Sequence, residues 1–278
     1  MRLVTFRHPS GLRAGIVRGD AVVDLVNAGV SGDVAALIAD WEANHEQLLR
    51  AAERDADFAL ADIVLDLPFV PGRILGTGGN YTDHLSEMAV SPQEAPSAFC
   101  KLPGSELGPG QPVELEPDDR YVDYEGEIAL VLGRPARDLD PREALSAVVG
   151  LALANDISAR DVAMPHAVLA KGHRGFCPIG PAVVTADEVD FDDITITVSV
   201  NGEVRQDAHT SNLVFAFGEI VSSYSHTIPL QAGDVILTGT PSGVGVGRRP
   251  PVFLRPGDVV HVSSPQLGVL ATPIVAAA

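Results

Sequence analysis

Cysteine and lysine are the scarce residues of this chain. Of 278 residues only Cys100 and Cys177 are cysteines, and they lie far apart in no metal-binding or redox spacing, which points to a reducing compartment. Positive charge is short overall. Thirty-seven acids stand against 19 bases, a formal net charge of -18, so a nucleic-acid backbone or an anionic membrane would be repelled rather than steered in. No apolar run is long enough to cross a bilayer; the longest, Ala144 to Ala154, is interrupted by a serine and a glycine. The opening "MRLVTFRHPSG" has neither the apolar core nor the small-residue cleavage site of a signal peptide. A soluble, cytoplasmic protein is the expectation.

What the chain does have is length and apolar content sufficient for a large core, with 46% of its residues hydrophobic. The short runs "LVTFR", "RAGIV" and "AVVDL" read as strands separated by glycine-containing turns. They are followed by apolar residues at Val34, Leu37, Ile38, Trp41 and Leu48, a helical spacing that Ser31 or Asp33 would cap. Pro68 and the "VPG" after it mark a boundary, which gives a small N-terminal domain over 1–68 and a larger one over 69–278. The larger part is rich in β-branched runs punctuated by "NGE", "AGD" and "PGD", the pattern of a strand-rich α+β fold built on antiparallel hairpins.

The stretch "VDYEGEIALVLG" begins acidic and ends apolar. On a strand, residues two apart share a face, so Glu125 and Glu127 point the same way with Gly126 adding no bulk opposite them. Two like charges on one face call for something positive between them. In "VVGLALANDISARD", Asp156 ends a second apolar run. Three carboxylates from the ends of two buried elements suit a hard cation, Mg²⁺, Mn²⁺ or Ca²⁺, better than zinc, since the cluster includes no His or Cys. Solvated acids at a strand end, and a turn cap at Asp156, are the plain alternatives.

"GTGGNYTDHLSEM" reads as a glycine-rich turn opening a short helix capped by Thr82 or Asp83, and Tyr81 excludes a dinucleotide-type G-x-G-x-x-G. Within it His84 and Glu87 are three apart and meet on one face, so a carboxylate orients an imidazole as a base for water. Surface pairs of this kind are common. Lysine offers a sharper clue: of the 19 basic residues only Lys101 and Lys171 are lysines, compact point charges where arginine serves everywhere else. A chemical role is one reading of both, an ordinary surface position the other. In "DVILTGTPSGVGVG" a strand runs into a turn carrying Thr238 and Thr240, whose backbone N–H groups and hydroxyls are of the kind that hold a carboxylate or phosphate, or simply make a hairpin.

In order, "GGNYTDHLSEM", "SAFCKLPGS", "DYEGEIALVLG", "GLALANDISARD", "AKGHRGFCPIGP", "VNGEVRQ" and "GDVILTGTPSGVG" resemble the fumarylacetoacetate hydrolase (FAH) superfamily over residues 69 to 276. The first unit is similar to the small N-terminal α/β domain of bacterial members. The resemblance implies a mixed β-roll catalytic domain, a homodimer, and Mg²⁺ or Mn²⁺ held by Glu125, Glu127 and Asp156. It implies His84 and Glu87 as the pair that activates water on a closing lid, Lys171 as the stabiliser of developing negative charge, and Thr240 as a ligand of the substrate carboxylate. Lys101 and Arg174 join Thr240 as candidate substrate-binding residues. The substrate expected is a small anionic keto acid, a 2,4-diketo acid such as fumarylpyruvate cleaved by water at a C–C bond; decarboxylation of oxaloacetate or isomerisation of a 2-hydroxy-dienoate is the alternative on the same scaffold. Three positions depart from the family pattern. Ala163 replaces a glutamine that helps hold substrate. Gly172-His173-Arg174 replaces Ser-Phe-Asp after Lys171, placing His173 and Arg174 where a second carboxylate or solvent is their partner. Asn80 stands where animal enzymes use a metal-associated aspartate.

Overall fold

The computed structural model describes residues 1–162 and 167–277. A long sheet runs, in spatial order, through Phe58–Ala59, Ala21–Asp24, Gly11–Arg18, Arg2–His8, Cys177–Thr185, Val148–Asn155, Gly126–Leu132, Val235–Leu237, Ile74–Gly78 and Ser97–Lys101. Neighbours along it are antiparallel except Ile74–Gly78 beside Val235–Leu237. A second sheet comprises Glu203–His209, Thr195–Val200, Val259–Ser264, Gly268–Ala276 and Val113–Leu115. The helices are α1 (Val34–Ala39), α2 (Trp41–Ala52), α3 (Thr82–Glu87), α4 (Pro141–Leu145), α5 (Ala167–Lys171) and α6 (Phe217–Ser225). This is the strand-rich α+β architecture expected, and none of the described helices is long and apolar enough to cross a membrane.

Strand Gly126–Leu132 is buried on both faces and shows how the layers meet. Ile128, Leu130 and Leu132 pack into the core shared with Val198, Val260 and Val262 of the second sheet. Ala129 and Val131, on the opposite face, belong to the core that contains Val34, Leu37 and Ile38 of α1 and Leu48 of α2. Gly126 lies against the second sheet: a Cβ there would lie 2.2 Å from Cγ2 of Val198. Glycine is therefore required by packing, and the two glutamates flanking it face away from the second sheet.

One local difference from the sequence reading has a plain cause. The expected single helix over 34–48 breaks at Asp40, whose φ of -127° and ψ of 55° are not helical, so α1 and α2 are separate. Asp33 is the cap, its carboxylate accepting from the N–H of Ala36 at 2.8 Å. The N-terminal strands do not close on themselves: Arg2 and Leu3 register with Val184 and Val183, so residues on either side of Pro68 share one sheet and one core.

Candidate functional site

The register of two strands brings the three acids together. Gly126 pairs with Asn155 and Glu127 with Ala154, so Asp156, one residue beyond its strand, lands beside Glu125, and its N–H donates to the Glu125 carbonyl at 2.8 Å. Asn155 secures the junction by accepting from the N–H of Glu125 at 3.1 Å. One carboxylate oxygen from each of Glu125, Glu127 and Asp156 lies within 4.8 Å of the others, and all three side chains are buried.

Cations surround this cluster. The Lys171 ammonium, at the end of α5, is 2.5 Å from oxygens of both Glu125 and Asp156. Lys101 approaches Asp156 from behind, 2.5 Å from Oδ1, and donates also to the carbonyl of Phe176 at 2.7 Å. Arg160 bridges Glu125 and Asp123, with 2.5 and 2.9 Å contacts. Four buried carboxylates thus face three cationic side chains.

The charges are unevenly shared. Burial alone would raise the Glu125 pKa, but the Lys171 and Arg160 charges outweigh it and hold this carboxyl well below the usual range. Glu127 makes no ion pair among the described residues. Burial and then the Asp156 charge push it well above its ordinary value, against the smaller lowering effect of Lys171, and its Oε2 accepts a 2.6 Å bond from the N–H of Gly239. Lys171 loses some basicity to burial, yet Asp156, Glu125 and Glu127 more than restore it, so it stays an ammonium. The donor set fits a divalent metal on these grounds: three converging hard oxygens on buried side chains, one of them without an ion-pair partner among the described residues.

His84 and Glu87 belong to α3. Nδ1 of His84 is 3.1 Å from Oε2 of Glu87, whose Oε1 accepts from the N–H of Gly243 at 2.9 Å. A cavity of about 650 Å³ is lined by His84, Glu125, Glu127, Lys171, Arg160 and Thr240, so His84 and two acids of the cluster open into one space. The cap expected at Thr82 or Asp83 is absent. The capping position is Tyr81, which makes no side-chain cap; Asp83 lies inside the helix, its Oδ1 accepting from the N–H of His84 at 2.8 Å and its Oδ2 from the Ser242 hydroxyl at 2.7 Å.

The proposed substrate-binding residues are dispersed. Thr240 lines the cavity, but its hydroxyl donates to the Gly126 carbonyl at 3.0 Å and accepts from Gln206 at 2.8 Å. Lys101 is fully buried beneath Asp156, and Arg174 is exposed at the surface while His173 stacks on Phe176 with centroids 4.6 Å apart. Asn80 ties its amide to Thr238 and Phe215, bonding the two carbonyls at 2.9 and 3.2 Å and the Phe215 N–H at 2.8 Å. Ala163 lies outside the described residues. Sequence reasoning missed Arg160 and Asp123. Arginine carries nearly all the positive charge here, so composition, which singled out the lysines, left Arg160 without a signal; Asp123 differed from a surface acid only by its place at the mouth of the same buried strand.

Residues 73–275 match the family model described as Fumarylacetoacetate (FAA) hydrolase C-terminal. Oxaloacetate tautomerase FAHD2A, mitochondrial, from Homo sapiens is 35% identical over 295 residues, spanning 99% of this chain and 92% of that protein. The crystal structure of maleylpyruvate hydrolase from Sphingobium sp. SYK-6, in complex with manganese(II) ion and pyruvate, matches with a TM-score of 0.85 at 30% identity, covering 100% of both chains. That of 5-carboxymethyl-2-hydroxymuconate delta-isomerase from Mycobacterium smegmatis matches with a TM-score of 0.80 at 33% identity, again over 100% of both. With most of its length matched in sequence and all of it in fold, this chain belongs to the fumarylacetoacetate hydrolase family.

Proposed function

We propose that the protein is a divalent-cation-dependent enzyme that cleaves a C–C bond of a 2,4-diketo acid, an acylpyruvate such as fumarylpyruvate, with water. The observation that carries this reading is the opening of His84, oriented by Glu87, into the same cavity as Glu125 and Glu127, two acids of the cluster that Asp156 completes. Held by those three carboxylates, Mg²⁺ or Mn²⁺ would supply Lewis-acid polarisation of the substrate's oxygens.

His84 takes a proton from water on the ring nitrogen opposite Nδ1, which Glu87 holds. The water oxygen bonds to the distal carbonyl carbon, the C–C bond to the pyruvate carbon breaks, and its electron pair leaves as an enolate that takes up a proton. The Lys171 ammonium opposes the negative charge that develops on the enolate oxygen. Electrostatics favour an anionic substrate: with Glu125, Glu127, Asp156 and Asp123 all ionised against Lys101, Lys171 and Arg160, a doubly charged ion would turn a one-charge deficit into a one-charge excess inside an otherwise acidic protein. A homodimer, implied by the family resemblance, and a cytoplasmic location are part of this reading.

A second reading has support of its own. The relative similar over 99% of this chain is an oxaloacetate tautomerase, and a structural neighbour is an isomerase. Proton transfer on oxaloacetate or a hydroxy-dienoate, or loss of CO₂ from oxaloacetate, uses the same charge stabilisation without a nucleophilic water. A panel of acylpyruvates and oxaloacetate, assayed with Mg²⁺, Mn²⁺ and EDTA, separates the two. Pyruvate and the free acid as products, lost in EDTA, are expected; keto–enol exchange of oxaloacetate with no cleaved acylpyruvate would establish the second reading.

A further inference from the structure

One loop, Gly239 to Gly247, touches both halves of the site. On one side Gly239 donates to Glu127 at 2.6 Å, and the N–H groups of Gly245 and Val246 donate to Asp123 at 2.7 and 3.0 Å. On the other the Ser242 hydroxyl donates to Asp83 at 2.7 Å and the N–H of Gly243 to Glu87 at 2.9 Å. The second set falls entirely on α3.

Beyond its N-terminal end, where buried Tyr81 bridges to Leu213 and Asn80 is bonded to Thr238 and Phe215, that helix is lightly held. It is six residues long with no side-chain cap, well short of the length at which a helix persists alone, and Leu85 is its one buried residue. The segment 89–96 that follows has no helix or strand and is exposed up to Pro96, which is half-buried. The loop is fixed by contrast, because its end is bound to the same Asp123 that orients Arg160 towards Glu125.

We infer that Asp83 and Ser242 are positioning residues: their hydrogen bond clasps α3 to the loop seated on the acidic cluster, so that the His84–Glu87 pair is presented to the cavity in step with the ordering of that cluster. The catalytic consequence rests on the hydrolytic reading above; the clasp itself does not. Neither residue needs to touch substrate. An ion that fixes Glu127 also fixes Gly239, and through Ser242 the effect reaches α3 without any contact between ion and helix.

The test uses the full chain, with Mn²⁺ as the probe. In wild type, Mn²⁺ is expected to slow amide hydrogen exchange over residues 82–88. Ser242→Ala is expected to speed exchange there about tenfold, to remove the Mn²⁺ response, and to lower kcat about 10- to 100-fold, with Mn²⁺ affinity unchanged. Ser242→Thr, which keeps the hydroxyl, should restore all three. Wild-type exchange and turnover in Ser242→Ala would overturn the clasp, as would an Mn²⁺-insensitive helix in wild type or loss of Mn²⁺ affinity in the variant. If no acylpyruvate is cleaved and Ser242→Ala still loosens residues 82–88, the clasp stands and the reaction assignment falls.

Discussion

The Lys101 ammonium lies 2.5 Å from Oδ1 of Asp156, with both side chains wholly removed from solvent. Lys101 therefore holds an acid of the cluster from behind. Removing one partner of a buried pair leaves an uncompensated charge, so Lys101→Met is expected to cost about 3–5 kcal/mol of stability and to weaken Mn²⁺ binding. Urea unfolding and calorimetry check both, and a variant of wild-type stability would contradict this placement.

Gly247 bears on the base pair from a distance. A Cβ at this position would lie 2.5 Å from both Cδ and Oε1 of Glu87. Gly247→Ala should push that carboxylate away from Gly243 and His84, lowering kcat about 10- to 100-fold while Mn²⁺ affinity holds. Turnover equal to wild type would show that the orientation of Glu87 is immaterial.

Gly126 tests the link between core and site. With a Cβ 2.2 Å from Val198, Gly126→Ala overpacks the seam between the sheets, at a cost of about 1–3 kcal/mol, and should displace Glu125 and Glu127 together. Thermal unfolding read beside Mn²⁺ titration checks it; a destabilised variant with unaltered Mn²⁺ affinity would separate the packing from the site.

Glu127 makes the metal-free protein sensitive to pH. Its pKa is raised by burial and by Asp156, so the stability tied to its protonated form is present below the unfolded value, about 4.3, and is lost as pH climbs through the folded value. Glu125, held low by Lys171 and Arg160 against the effect of burial, contributes in the opposite sense: its stability is present above the unfolded value and lost as pH falls through the folded one. Glu127→Gln removes the first effect. Compared with wild type in urea melts without metal, it should gain stability towards neutral pH and show little gain at about pH 4. Parallel pH profiles for the two proteins would refute this.

What the sequence disclosed was local. Alternation on one strand placed Glu125 and Glu127 on a shared face, and "VNGE" announced the hairpin between Thr195–Val200 and Glu203–His209, where Asn201 and Gly202 take positive φ of 53° and 82°. His84 and Glu87 were legible from helical spacing. Contacts between distant segments were hidden: the pairing of Arg2–His8 with Cys177–Thr185, the position of Lys101 under Asp156, and the grip of Asp123 on Gly245 depend on segments more than 50 residues apart, where no local pattern records the partner. Thr240 shows a further limit. Its place beside the cavity was foreseeable, whereas the engagement of its hydroxyl by Gln206 and Gly126 followed only from the packing of the second sheet.

The account depends on Glu125, Glu127 and Asp156 acting as one cation site, and Mn²⁺ titration of metal-free protein by calorimetry tests it most directly. One ion per chain is expected in wild type, with binding lost in Glu125→Gln and in Asp156→Asn while both variants remain folded. Wild-type protein that takes up no Mn²⁺, or folded variants that bind it as tightly as wild type, would contradict the account.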